Sequence, residues 1–449
     1  MSQLIVSEIA GKEGAPVYFP SGIRMGNTGA GGINDIGIPG QPGFGVGIAP
    51  ALPDGMTALP GYTDVLSDNY GNYQYSDGSI MVWVPAFYYK YGTGANGLAI
   101  NACDIKNIDA YTTVTAANAA GYALHRAFYD GGQIKQGFFV DKYLCSNNSG
   151  VASSLRNGAP ISSSASNSPV ADLDGVSSNI NASFITAASL RGTGFFCQSI
   201  FIFKAMALLS YAHGQAATSP TYCAWYDAAG ITNFPKGCNN NALGDVNDNS
   251  LSFTSSGYDN AALTGSANFL AKTTHNGQVC GVADLNGCMW DVCPGLTMDD
   301  GDESVGHFYV LKTSVAMADV TAGTSLATDL WGATGYAALY DDLGVMDTFT
   351  STALNFTDRT VDVGSVSKTF SEATSGTLWQ MTGAGIPVES TGTNVFGNDR
   401  INDYSTSQML PSAGGSWSHS TPAGVWALGL SSSRASLNPS HGFRAALYL

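Results

Sequence analysis

Charge is scarce in this chain. Asp, Glu, Lys and Arg make up 12% of its 449 residues, half of the roughly 25% typical of soluble domains. Solvent-exposed helices carry many Lys and Glu residues, so a helix-rich surface is excluded. Basic charge is scarcer still: 18 Lys plus Arg stand against 34 Asp plus Glu, a net charge of −16. Such a chain repels phosphate, which excludes nucleic acid as an expected partner. No apolar run reaches about 18 residues, so no membrane insertion is expected. The N-terminal MSQLIVSEIAGKEG lacks the charged-then-apolar order of a signal peptide. Synthesis in a cytoplasm is expected.

Paired cysteines are missing too. The eight are Cys103, Cys145, Cys197, Cys223, Cys238, Cys280, Cys288 and Cys293, and none forms a C-x-x-C pair. A zinc ribbon or a redox motif is therefore not indicated. Buried free thiols are the plain reading, and disulfides formed after release from the cell are the alternative.

What is abundant is Gly, with 55 residues, together with an apolar fraction of 44%. The length suffices for a large core and two or more domains. Residues 1–78 include GNTGAGGINDIGIPGQPGFGVGIAPALPDG, too rich in breakers for helices. This segment is expected to serve attachment or trimer packing, or else to be a flexible linker. Residues 79–91 (SIMVWVPAFYYKY) and 137–144 (GFFVDKYL) read as strands. Shorter strands are expected over 278–284, 305–312, 424–430 and 442–449. Residues 146–180 and 239–268 read as polar loops. Two helices are expected. One covers about 183–191 and stops at Gly192; the other follows Ser199, is apolar on both faces and stops at Gly214. The class is α+β, with two helices and antiparallel strands.

Two acidic stretches are candidate cation sites. GDVNDNS at 244–250 sets Asp245, Asn247 and Asn249 at alternate positions, like the start of a calcium loop. The glycine and closing glutamate of a full loop are absent, so a plain polar loop competes with a structural Ca2+ site. DDGDES at 299–304 offers Asp299, Asp300, Asp302 and Glu303. The histidines show no metal spacing, and no other cofactor is indicated.

The C-terminal stretch GGSWSHSTPAGVWALGLSSSRASLNPSHGFRAALYL stays apolar to its last residues, the pattern of a terminus tied into a sheet. In VWALGL, alternation puts Trp426, Leu428 and Leu430 on a core face. Val425, Ala427 and Gly429 fall on the other face, and continuing the period sets Gly429, Ser431 and Ser433 outward. Trp417 and Trp426 read as core, and Arg434 and Arg444 as forks tying strand ends to carbonyls or carboxylates.

Four segments, taken in order, resemble the C-type-lectin-like fold. They are GFFVDKYLCSN at 137–147, AASLRGTGFFCQSIFIFKAMALLSYAHG at 187–214, NGQVCGVADLNGCMWDVCPG at 276–295, and GGSW at 414–417 with GFRAAL at 442–447. The branch is that of formylglycine-generating enzymes and of the variable proteins of diversity-generating retroelements, such as phage tropism determinants. Asp291 stands where the family usually has Glu. The resemblance covers about residues 80–449 and implies a C-type-lectin-like domain over 79–449 with long inserted loops. The enzymatic branch places cysteines between GGSW and GFR. Here no cysteine follows Cys293, and serine without a base is a poor nucleophile, so no catalytic residue is expected.

In the retroelement branch this region is the diversified binding surface, here about 396–441. The resemblance and the alternation together give the expected contact residues. They are Asp399, Asn402, Tyr404, Ser405, Ser418, His419, Ser420, Thr421, Gly429, Ser431, Ser432, Ser436, Asn438 and Ser440. Most are small or polar, as in paratopes. The function implied is that of a phage tail-tip receptor-binding protein, a homotrimer meeting other tail proteins and a host-cell surface receptor, protein or glycan, in the virion. The alternatives are a cell-surface variable protein or adhesin of the same fold, or a formylglycine-generating-type enzyme.

Overall fold

The computed structural model describes residues 32–228, 234–299, 307–322, 338–345, 359–393, 395–403, 406 and 408–449. The chain is mixed α+β, mostly strands with few helices, and no sheet among the described residues closes into a barrel. The main sheet has six antiparallel strands. Their order is Met56–Ala58, Asn72–Tyr75, Ile80–Pro85, Gly137–Asp141, Ala445–Tyr448 and Phe196–Cys197. The C-terminal strand thus lies inside the sheet. Alternation sorts its neighbours: Met81, Trp83, Phe139, Ala445 and Leu447 enter one cluster, and Val82, Val84, Phe138, Val140 and Ala446 the other. Both faces are buried, which explains the near-continuous apolar runs in these strands.

Each face is covered by one of the expected helices. α2 (Ser183–Ser189) follows α1 (Val114–Ala119) and lies on the first face, with Phe184 stacked on Phe443 at 4.8 Å. α3 (Ile200–Ala216) lies on the second, and the Ser199 hydroxyl caps it by accepting from the Ile202 N–H. Burial on all sides of α3 accords with its two apolar faces. α4 (Gly376–Gly383) and α1 bring the described α-helices to four rather than two. α1 is Ala-rich with one β-branched turn, and α4 is interrupted by Gly and Thr, so neither carries a clear apolar stripe.

A second six-stranded sheet runs Arg359–Asp362, Arg400–Asp403, Gly424–Gly429, Ser412–Gly414, Trp290–Val292 and His441–Gly442. It is mixed, not antiparallel as expected. Ile401 and Asn402 pair in parallel with Leu428 and Gly429, and Trp290 and Asp291 with His441 and Gly442. Residues 278–284, expected as a strand, form an irregular turn instead. The run 79–91 splits after Pro85, which has no N–H to continue the ladder. Phe87–Tyr91 joins a separate sheet with Cys103–Asn107 and Ala123–Leu124.

The expected boundary at residue 78 does not coincide with a break in packing. Asn72–Tyr75 is a ladder neighbour of Ile80–Pro85, and Ile36, Phe44 and Val46 are fully buried in the common core. The side chain of Asn276 donates to the Phe44 carbonyl at 3.0 Å, and His275 Nε2 meets the Gly45 carbonyl at 3.1 Å. Residues 32–78 are part of the folded body. Their glycines permit tight turns against it rather than a free linker.

Candidate functional site

The site is built on a hub at Arg444, which is completely buried. Its Nε donates to Asp291 Oδ2 at 2.8 Å, Nη1 to the Lys142 carbonyl at 3.0 Å and Nη2 to the Asp284 carbonyl at 3.2 Å. Its own carbonyl accepts from the Gln198 N–H at 2.9 Å. Its guanidinium therefore ties its own strand to residue 142 and to residues 284 and 291, the structural role expected of it, and its carbonyl adds the segment at Gln198. Asp284 takes φ +59°, which turns its carbonyl towards this fork. Alternation in Trp290–Val292 sets Asp291 into the hub and Trp290 on the opposite face.

The strand Gly424–Gly429 is buried at every residue. This corrects the expectation that Gly429 faces outward: the strand is central in its sheet and packed on both sides. A register shift between Ala413 and Gly414 interrupts its pairing. Two charged side chains fill that interval. Lys204 Nζ, from α3, donates to the carbonyls of Val425 at 3.2 Å and Ala427 at 3.1 Å. Asp399 Oδ2 accepts from the Trp426 N–H at 2.8 Å. Burial pushes the Lys204 ammonium down to about 7, opposed by the Asp399 charge. Burial likewise pushes the Asp399 carboxyl well above the usual carboxylate range. Asp399, expected as a contact residue, is 1% exposed and instead holds the strand.

Gly429 is buried as well. A β-carbon there would meet Ser412 Oγ at 2.8 Å and the Trp290 ring at 3.6 Å. Its place is to admit the edge of Trp290, against which His419 packs edge-on with ring centroids 5.1 Å apart. Asn402, beside Gly429 in the ladder, is half-buried. The turn that follows GGSW presents Ser418 and Ser420 fully and His419 and Thr421 partly. Its core is Ser416, whose hydroxyl lies 3.0 Å from both Ser418 Oγ and His419 Nδ1. Burial, with Arg400 nearby, holds the His419 imidazole below its ordinary value. Tyr404 and Ser405 lie outside the described residues.

Beyond the strand, residues 431–440 form a loop anchored through its main chain. The Leu410 N–H donates to the Ser432 carbonyl and the Ala182 N–H to the Arg434 carbonyl, both at 2.9 Å; the Asn181 N–H donates to the Ser436 carbonyl at 2.9 Å. Arg434 is buried, with Nη1 donating to the Ala322 carbonyl at 3.2 Å. Ser436 Oγ accepts from the Ser433 N–H at 3.0 Å. Asn438 Oδ1 accepts from the Ser440 N–H at 2.9 Å and from its hydroxyl at 2.8 Å. Ser436 and Asn438 are thus half-buried supports, and Ser440 is buried. Ser431 is exposed and Ser432 half-exposed. The other outward residues are Ala435, Leu437 and Pro439, which sequence reasoning missed. The period-2 reading that selected Ser431, carried eight residues further, finds them.

Among the described residues no cluster of three or more His, Cys, Asp or Glu side chains could hold a metal. Asp245 accepts from the Gly237 N–H at 3.0 Å and the Asn247 N–H at 2.7 Å, bonds that fix the carboxylate within its own loop. Residues 300–304 of the second acidic stretch lie outside the described residues. All eight cysteines are free thiols, and all but Cys103 are buried. No helix among the described residues is long and apolar enough to cross a membrane. No protein-family model matches the chain, and no curated protein sequence does.

Proposed function

We propose that the chain is a ligand-binding protein whose C-terminal C-type-lectin-like domain displays an exchangeable contact surface, as in a phage tail-tip receptor-binding protein. The observation that carries this reading is the loop 431–440. Its path is fixed by main-chain hydrogen bonds and buried supports, while Ser431, Ala435, Leu437 and Pro439 point outward. Main-chain anchoring is indifferent to side-chain identity, so these positions can change without loss of the path. Preorganisation of that kind lowers the entropy cost of binding. The convergence of all four resemblance segments on Arg444 supports the lectin-like reading of the fold.

Function here is contact. The surface includes hydroxyls, an amide and a half-buried imidazole, with Trp290 beneath as a rigid aromatic platform. Each site is small, so useful affinity calls for several copies. A homotrimer on a multivalent host surface gains by effective concentration. Replacing Ser431, Ala435 and Leu437 together should redirect binding of the purified protein on a panel of bacterial cells while its thermal transition stays in place. Unchanged cell binding would contradict the reading. A second check is genomic: a reverse-transcriptase gene beside a near-copy of the 3′ end, differing at adenines, is expected.

A further inference from the structure

A second surface of the body carries chemistry that the contact loop does not use. A groove of about 400 Å3 is lined by Asp68, Arg156, Phe269, Leu270, Lys272 and Val279, among others. Phe269 is 54% exposed on this groove. Lys272 holds the ring: its ammonium donates to Asp248 and Ser250 at 2.8 Å each and sits 5.8 Å from the ring centroid. Arg156 and Asp68 are exposed on the same groove. Arg156 uses only Nε, which donates to the Gly265 carbonyl at 3.1 Å. No carboxylate among the described residues lies within ion-pair distance of its guanidinium. Asp68 likewise has no hydrogen-bond partner among the described residues. In a chain of net charge −16, an unpaired guanidinium beside an open aromatic face is a local exception.

We infer that this groove binds a carboxylated saccharide, with a pyranose face on Phe269, the sugar carboxylate on Arg156 and ring hydroxyls on Asp68. An apolar ring face needs an aromatic platform. A carboxylate is met by the two-pronged donor geometry of guanidinium, and a sugar hydroxyl needs an acceptor such as an unspent carboxylate. The volume is at the small end of the roughly 300–1,000 Å3 of small-molecule clefts, which suits one or two sugar rings. The inference stands apart from the reading of the loop 431–440.

The test uses the full chain and three probes: methyl β-glucuronide, methyl β-glucoside and acetate. Saturation-transfer NMR at probe concentrations on the order of 10 mM detects weak complexes, and calorimetry ranks them. Glucuronide is expected to bind best. Phe269→Ala and Arg156→Ala should each weaken it roughly tenfold or more, one factor of ten in Kd, with thermal transitions unchanged because both side chains are exposed. Ser431→Tyr with Ala435→Tyr should leave it unaltered. No transfer to glucuronide overturns the assignment. So does equal binding of glucoside, equal binding of acetate, or loss of binding in the loop variant alone.

Discussion

The strand Gly424–Gly429 and the loop that follows it are adjacent in sequence and opposite in construction. The strand is buried at all six positions, and its Trp426 ring meets Tyr211 of α3, Phe370 and Phe396. The loop touches the body mainly through its backbone and sends Ser431, Ala435, Leu437 and Pro439 into solvent. One stretch is defined by what its side chains are; the next by where its main chain runs. Under the proposed function, an exchangeable surface and a fixed fold share residues 424–440.

Removing a scaffold charge should break that contrast most severely. Arg444→Ala leaves Asp291 buried without its partner, and a loss of about 3–5 kcal/mol is expected, read by chemical denaturation. Arg444→Lys should lose much of the same, because an ammonium cannot reach the carboxylate and two carbonyls as a planar fork does.

Lys204→Met comes next, with about 2 kcal/mol expected for the loss of hydrogen bonds to Val425 and Ala427. Its signature is in the pH profile. Lys204 has a folded pKa near 7, below an unfolded value of about 10.4. Between those values the unfolded chain binds more protons, so this group makes stability rise with pH by up to about 1.4 kcal/mol per unit. Denaturation midpoints from pH 7 to 10 should show that slope in the parent and a shallower one in the variant.

The buried histidines give the acid end of the profile, with the same sign. Burial holds His441, His275 and His213 down to about 4 and His125 to about 3. Unfolded imidazoles protonate near 6.5, so stability should fall as the pH drops from about 6.5 towards 4. His275→Gln should flatten part of that fall, measured by thermal melts.

The smallest effects should lie in the loop. Ser436→Ala removes a turn-holding hydroxyl and should cost about 1 kcal/mol. Ala435→Ser should fall within about 0.5 kcal/mol of the parent. Equal effects at these neighbours would erase the division between support and surface.

Much of the scaffold is legible in sequence. The Ser199 cap, the apolar period after it and the fork chemistry of Arg444 all carry local signals. Lys204 does not, because a lysine in an apolar helix gives no hint that unpaired carbonyls await it across the core. Asp399 and Gly429 were legible as special but not as interior. Gly429, on the small face of VWALGL, reads as outward until the second covering layer is known. Residues 32–78 read as part of an attachment or trimer-packing segment, or else a linker, because Gly and Pro mark turns, and a turn's signature does not say what it packs against. Asn438 and Ser440 resemble surface residues by type, yet their polar atoms are spent on each other.

The most direct measurement is a substitution library at Ser431, Ala435, Leu437 and Pro439, sorted for folding by protease resistance and for attachment to bacterial cells. The account predicts that most combinations stay folded and that attachment varies widely among them. Widespread loss of folding, or attachment indifferent to all four positions, would contradict it.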